Sequence, residues 1–116
     1  MSGHELNLLE AVCWLPGPVR RAMRRALASG WYHIEPGFYE SETGVCPFVA
    51  AAKMAGVWRD GHAADGGTDW GSQTEPSAPC FAFAVSFDLY ADEAGTDRAL
   101  EVVLQGLNAE PRSLAA

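Results

Sequence analysis

The chain is predicted to be a mainly α domain of about five helices, with a short β-hairpin over 31–41 as its one extended element. Three observations carry this expectation. Apolar residues recur at helical spacing in several segments, those segments are bounded by caps, prolines or glycines, and only 31–41 gathers aromatic and β-branched residues around a turn. With 116 residues and 48% hydrophobic content, the chain suits one core, expected over 1–110.

Ser2-Gly3-His4-Glu5 fits a capping box: the Ser2 hydroxyl accepts from the Glu5 amide and the Glu5 side chain reaches back. Leu8, Leu9, Val12 and Leu15 follow at helical spacing, so the first helix is expected over 3–15. Pro16 ends it and Pro18 starts the second, over 18–29, with Gly30 as its left-handed terminator. On that helix Val19, Ala22, Met23, Ala26 and Leu27 share one side, opposite Arg20, Arg21, Arg24 and Arg25.

Residues 31–35 and 38–41 read as two short strands around Pro36-Gly37. Pro-Gly favours a type II turn, whose twist suits a tight hairpin poorly, so an irregular segment is the alternative. Pro47 to Gly56 reads as a third helix with Pro47 in its first turn and Gly56 and Val57 set for a Schellman ending. Lys53 is its sole charge, and a helix so apolar needs cover on several sides, which makes it the expected centre of the core.

From 59 to 79 the composition shifts to Gly, Asp, Ser, Thr and Pro around an isolated Trp70, and an irregular loop is expected. The 80–94 segment alternates like a strand, yet it also makes a broad helical face and runs on to Gly95. Its length favours helix. Thr96 or Asp97 then caps a last helix bearing Leu100, Val103, Leu104 and Leu107, and 111–116 is a fraying tail.

No segment carries the roughly 18–20 consecutive apolar residues of a membrane span, and the N-terminus lacks the basic and apolar regions of a secretory signal. A cytoplasmic location and no membrane partner are expected. The net charge of −7 disfavours passive attraction to nucleic acid or anionic lipid, so polyanion binding would have to be local. Three widely spaced cysteines, Cys13, Cys46 and Cys80, suggest neither a disulfide framework nor a zinc knuckle.

The candidates for function are few. Cys46 at a helix N-terminus could be an activated thiol, since unpaired amides stabilise thiolate; a small buried residue is the bland alternative. No two of Cys13, Cys46, Cys80, His4, His33 and His62 have ligand spacing on one element. Asp60, His62, Asp65 and Asp69 cluster in the loop, but from Asp60 an EF-hand register places Asp65 where Gly belongs. No metal and no cofactor are implied.

The face of Arg20, Arg21, Arg24 and Arg25 holds half of the positive charge and could dock an acidic protein partner or phosphates. It could equally be a solvated face or pair with the chain's own acids. Trp31, Tyr32, Phe38, Tyr39, Trp58 and Trp70 either close the core or line a binding surface, with Trp70 in its Gly/Asp-rich loop the one expected to stand apart.

Gly44-Val45-Cys46-Pro47 opening an Ala-rich helix, then Phe83 to Ala91 and a terminal amphipathic helix, resemble a group of small uncharacterised proteins of high-GC bacteria over about residues 30–108. The resemblance implies helix for 80–94 and no functional residue. The reading that follows is a non-enzymatic interaction or regulatory domain using the arginine face, and with it the Trp70 loop, against another protein. Nucleic-acid association through the same arginines, and a thiol-dependent enzyme or redox sensor at Cys46, are the alternatives.

Overall fold

In a computed structural model, which describes residues 2–59, 67–71 and 75–109, the apolar periodicities resolve into six helices and no sheet. These are α1 (Gly3–Trp14), α2 (Gly17–Ser29), α3 (Pro47–Met54), the single turn α4 (Gly67–Trp70), α5 (Ala78–Ala94) and α6 (Thr96–Asn108). The mainly α reading holds, with α4 as the addition inside the expected loop. Among the described residues no helix is long and apolar enough to cross a membrane. The expected tail at 111–116 lies outside the described residues.

Local chemistry explains most boundaries. The Glu5 amide donates to Ser2 Oγ at 3.1 Å, which is half of the expected capping box. The other half is absent because the Glu5 carboxylate is taken by Tyr90 and Arg98. Gly30 closes α2 in the left-handed region at φ +70°. At the end of α3 the Val57 amide donates to Ala52 O at 2.9 Å and the Gly56 amide to Lys53 O at 3.1 Å, the paired bonds of a Schellman motif. Gly95, at φ +95°, alone joins α5 to α6, so the expected side-chain cap from Thr96 or Asp97 is not made.

The 31–41 hairpin does not form, and Val45 shows why. The Glu35 amide donates to Val45 O and the Val45 amide to His33 O, while the Cys46 amide donates to Tyr39 O, each at 2.9 Å. Both arms therefore bond to the strand-like 44–46 segment rather than to each other, as isolated bridges to Val45. The Pro-Gly turn holds them apart, consistent with its unsuitable twist.

The core is built around α3, where Pro47 through Ala52 are all buried. It packs chiefly on α2 and also on α5, while α1 lies across α5 and α6. Phe48 is the centre of an aromatic cluster: its ring lies 6.2 Å from Tyr39, 6.2 Å from Trp58 and 6.1 Å from Trp70. Phe83 and Phe87 stack from α5 at 6.2 Å. Gly106 lets α6 approach α1, since a Cβ there would lie 2.7 Å from Val12 Cγ1.

Candidate functional site

The arginine face expected on α2 is divided. Arg20 is only 4% exposed, and its guanidinium donates to four carbonyls: Val12 O at 2.6 Å, Gly106 O at 3.0 Å, Ala109 O at 3.2 Å and Leu107 O at 3.3 Å. Arg24 also donates to Leu107 O. Gly106 and Leu107 lie in the last turn of α6, where the Gly106 carbonyl also accepts the Ala109 amide at 3.3 Å, and a cation there complements the negative end of the helix. Burial lowers the Arg20 pKa from its usual value. The internal pairing expected with acidic side chains is thus made with backbone carbonyls instead. Arg21, Arg24 and Arg25 remain exposed, and of these Arg24 is engaged with Leu107 O.

Trp70 does not stand apart. It is 5% exposed because α4 turns its indole onto Phe48 and the Ser77 amide ties the Trp70 carbonyl at 3.0 Å. The side chain expected to mark a binding loop completes the core. Cys46 is 2% exposed, and burial pushes its thiol up to about 12, outweighing the stabilising bonds from the amides of Val49 and Phe48. The helix terminus is present but the solvent that an attacking thiolate needs is not. Cys80 is likewise pushed up to about 11 by burial.

Among the described residues no three His, Cys, Asp or Glu side chains come close enough to hold a metal ion. Asp60, His62 and Asp65 of the expected acidic loop lie outside the described residues. A cleft of about 270 Å³ brings His33 beside Asp97, but no hydrogen bond joins them and its other walls include Leu27, Leu100 and Leu104.

A different surface emerges between the 36–39 turn and α5. The Asp88 carboxylate of α5 accepts a 2.9 Å hydrogen bond from the Gly37 amide, which pins the turn against the helix. Gly37 sits at φ +93°, a conformation that favours glycine. This lifts Phe38 to the rim of a groove of about 320 Å³, with Tyr39 and Cys46 at its floor and Phe81, Val85 and Asp88 along its helical wall. Burial raises the Tyr39 pKa, so its phenol is neutral across the physiological range.

The apolar side chains here are bare. Phe38 is 70% exposed, Phe81 53%, Val85 41% and Leu89 48%. Phe81, Val85 and Leu89 fall at i, i+4 and i+8, one stripe along α5, while Cys80, Phe83, Phe87 and Tyr90 cover the core. A helix apolar on both faces is ordinarily buried on both. Here one is covered by the fold and the other is not. The signal was in the sequence, in the surplus of apolar residues over 81–89, but all of them can be spent on the core until it is known which face the neighbours occupy.

The chain matches no protein-family model, no curated protein and no solved structure.

Proposed function

We propose that the chain is a non-enzymatic protein-interaction domain whose docking surface is the groove between the 36–39 turn and α5. The observation that carries this reading is the exposure of Phe38, Phe81 and Val85 around one concavity, with exposed Leu89 the next residue of their stripe along α5. Exposed apolar surface in a rigid groove is stabilised by a partner that removes it from water. Aromatic anchors such as Phe38 and Phe81 are the side chains that dominate interface energetics. The buried thiols of Cys46 and Cys80 support a binding role over a thiol-based one.

The arginine-face version of the same role rests on Arg21 and Arg25, because Arg20 and Arg24 donate to the end of α6. A polyanion version rests on the same two. The groove offers such a ligand nothing, since its one charged lining residue is Asp88.

Site-specific photo-crosslinking tests the proposal. A photoreactive amino acid at Leu89 is expected to trap a discrete protein adduct in the cells of origin, and Val85→Asp is expected to abolish it. A photoreactive residue at Arg25 is expected to yield no such adduct. Adducts from Arg25 alone, or a Leu89 adduct indifferent to Val85→Asp, would move the site away from the groove.

A further inference from the structure

Resting on the interaction reading, we infer that the groove receives a cationic amphipathic helix of two to three turns, with apolar anchors seated against Phe38, Phe81, Val85 and Leu89 and Lys or Arg at its flank. Three observations on different levels lead to this occupant.

The first is shape. From Phe81 to Leu89 the exposed stripe spans nine residues of helix, a rise of about 12 Å at 1.5 Å per residue. Such a stripe matches the i, i+3, i+4 and i+7 anchors of a helix laid in a groove. An extended peptide would need backbone groups to pair with. The main chain of α5 is closed on itself, the Gly37 amide is given to Asp88, and Tyr39 O accepts from the Cys46 amide. Side-chain packing is what the groove has to offer, and a helix supplies it without unpaired backbone.

The second is charge. The two segments that build the groove, 31–46 and 78–94, carry Glu35, Glu40, Glu42, Asp88, Asp92 and Glu93 and neither Lys nor Arg. Lys53, the cation of neighbouring α3, is already bound to Glu40. A second copy of the chain would bring Asp88 and the same acid-bearing segments against this one, so self-association through the groove is disfavoured. A cationic flank is the complementary one.

The third is a local conflict in α5. The last turn of this helix holds Asp92 and Glu93 and no basic residue, although the negative end of a helix is stabilised by cations. Glu93 accepts a hydrogen bond from Ser2 Oγ at 2.9 Å, whereas Asp92 is exposed one turn beyond Asp88. A Lys or Arg of the partner placed at this end relieves the conflict. It also fixes the orientation, with cations near Asp88 and Asp92 and apolar anchors near Phe81 and Val85.

Two synthetic helices of about 18 residues test the inference: an amphipathic Leu/Lys peptide and a Leu/Glu peptide of the same pattern. Each is titrated into the full chain, with the contact surface mapped by amide chemical shifts. The Leu/Lys peptide is expected to bind with shifts centred on Phe38, Phe81, Val85 and Leu89, and the Leu/Glu peptide at least tenfold more weakly. Leu89→Ser is expected to weaken Leu/Lys binding about tenfold through lost apolar burial. Asp92→Asn is expected to weaken it about threefold, while Asp97→Asn, the same charge change on α6, leaves it unaltered. Circular dichroism of each variant verifies the fold.

Equal losses from Asp92→Asn and Asp97→Asn would reduce the effect to net charge and overturn the inference. So would equal binding of the two peptides, or a concentration-dependent dimer broken by Leu89→Ser. In each case a crosslinked partner at Leu89 would leave the interaction reading standing. Loss of that crosslink, with the peptide results as expected, would fail the interaction reading instead.

Discussion

Replacing Arg20 by Met keeps an apolar stem of similar length in the space between α1, α2 and α6 and removes only the guanidinium. The carbonyls of Val12 and Gly106 lose their buried hydrogen bonds from Arg20 and keep only backbone donors, the Leu15 amide at 3.2 Å and the Ala109 amide at 3.3 Å. A hydrogen bond to a charged group contributes about 1.5–3 kcal/mol, so losing the two costs about 3–6 kcal/mol. Release of the guanidinium from its own desolvation penalty offsets part of this, and Arg24 still bonds Leu107 O. The expected net loss is about 2–4 kcal/mol. At about 4 °C per kcal/mol for a domain of this size, Tm falls by about 8–16 °C. Urea titration and thermal denaturation followed by circular dichroism measure both quantities. Arg25→Met, an exposed change on the same helix, is expected to stay within about 0.5 kcal/mol of the parent. If Arg20→Met did the same, the cap on α6 would contribute nothing net and the division of the arginine face would lose its energetic basis.

Cys46 and Cys80 are expected to resist alkylation at neutral pH while Cys13, which is partly exposed, reacts first; mass spectrometry of a time course reads the order, and early labelling of Cys46 would contradict its burial. Gly106→Ala places a methyl 2.7 Å from Val12 Cγ1, so crowding should outweigh the better helix propensity and destabilise by about 1–2 kcal/mol, seen as a lower urea midpoint. Gly56→Ala forces an L residue into φ +76°, with an expected cost of about 1 kcal/mol in the same assay. Glu5 has its pKa lowered from 4.5 by the hydrogen bond from Tyr90 and then by Arg98, so the stability it provides is complete above pH 4.5 and is lost as pH falls through the lower folded value. Glu5→Gln should therefore flatten the acid limb of stability below pH 4.5 and leave its slope near neutrality unchanged, as read from midpoints across a pH series.

Helix boundaries were legible because the groups that set them are neighbours along the chain. Pro16, Gly30, Pro47 and Gly56 act on residues within one turn, and the structure follows them closely. The choice of helix for 80–94 was legible for the same reason, since Gly95 stops it. What sequence could not show were pairings made across the fold. Glu5 satisfied a local motif on paper but its carboxylate is claimed from 85 positions away by Tyr90. Arg20 shares the polar side of its helical wheel with Arg21, yet the end of α6 covers one and leaves the other. Trp70 sits among residues that rarely bury anything, and it is buried because Phe48 provides the partner that its local neighbours lack. The groove escaped notice by the converse route, as apolar residues on α5 that no other element covers.

The long-range cap on α6 also sets an order of events at the ribosome. Arg20 is synthesised 86 residues before Gly106, an interval of roughly 4–17 s at about 5–20 residues per second. Throughout that time the positive charge of Arg20 has no α6 carbonyls to receive it. The contact between Arg20 and the end of α6 is therefore completed only after α6 has been synthesised, when a side chain of α2 closes over carbonyls made 86 residues later.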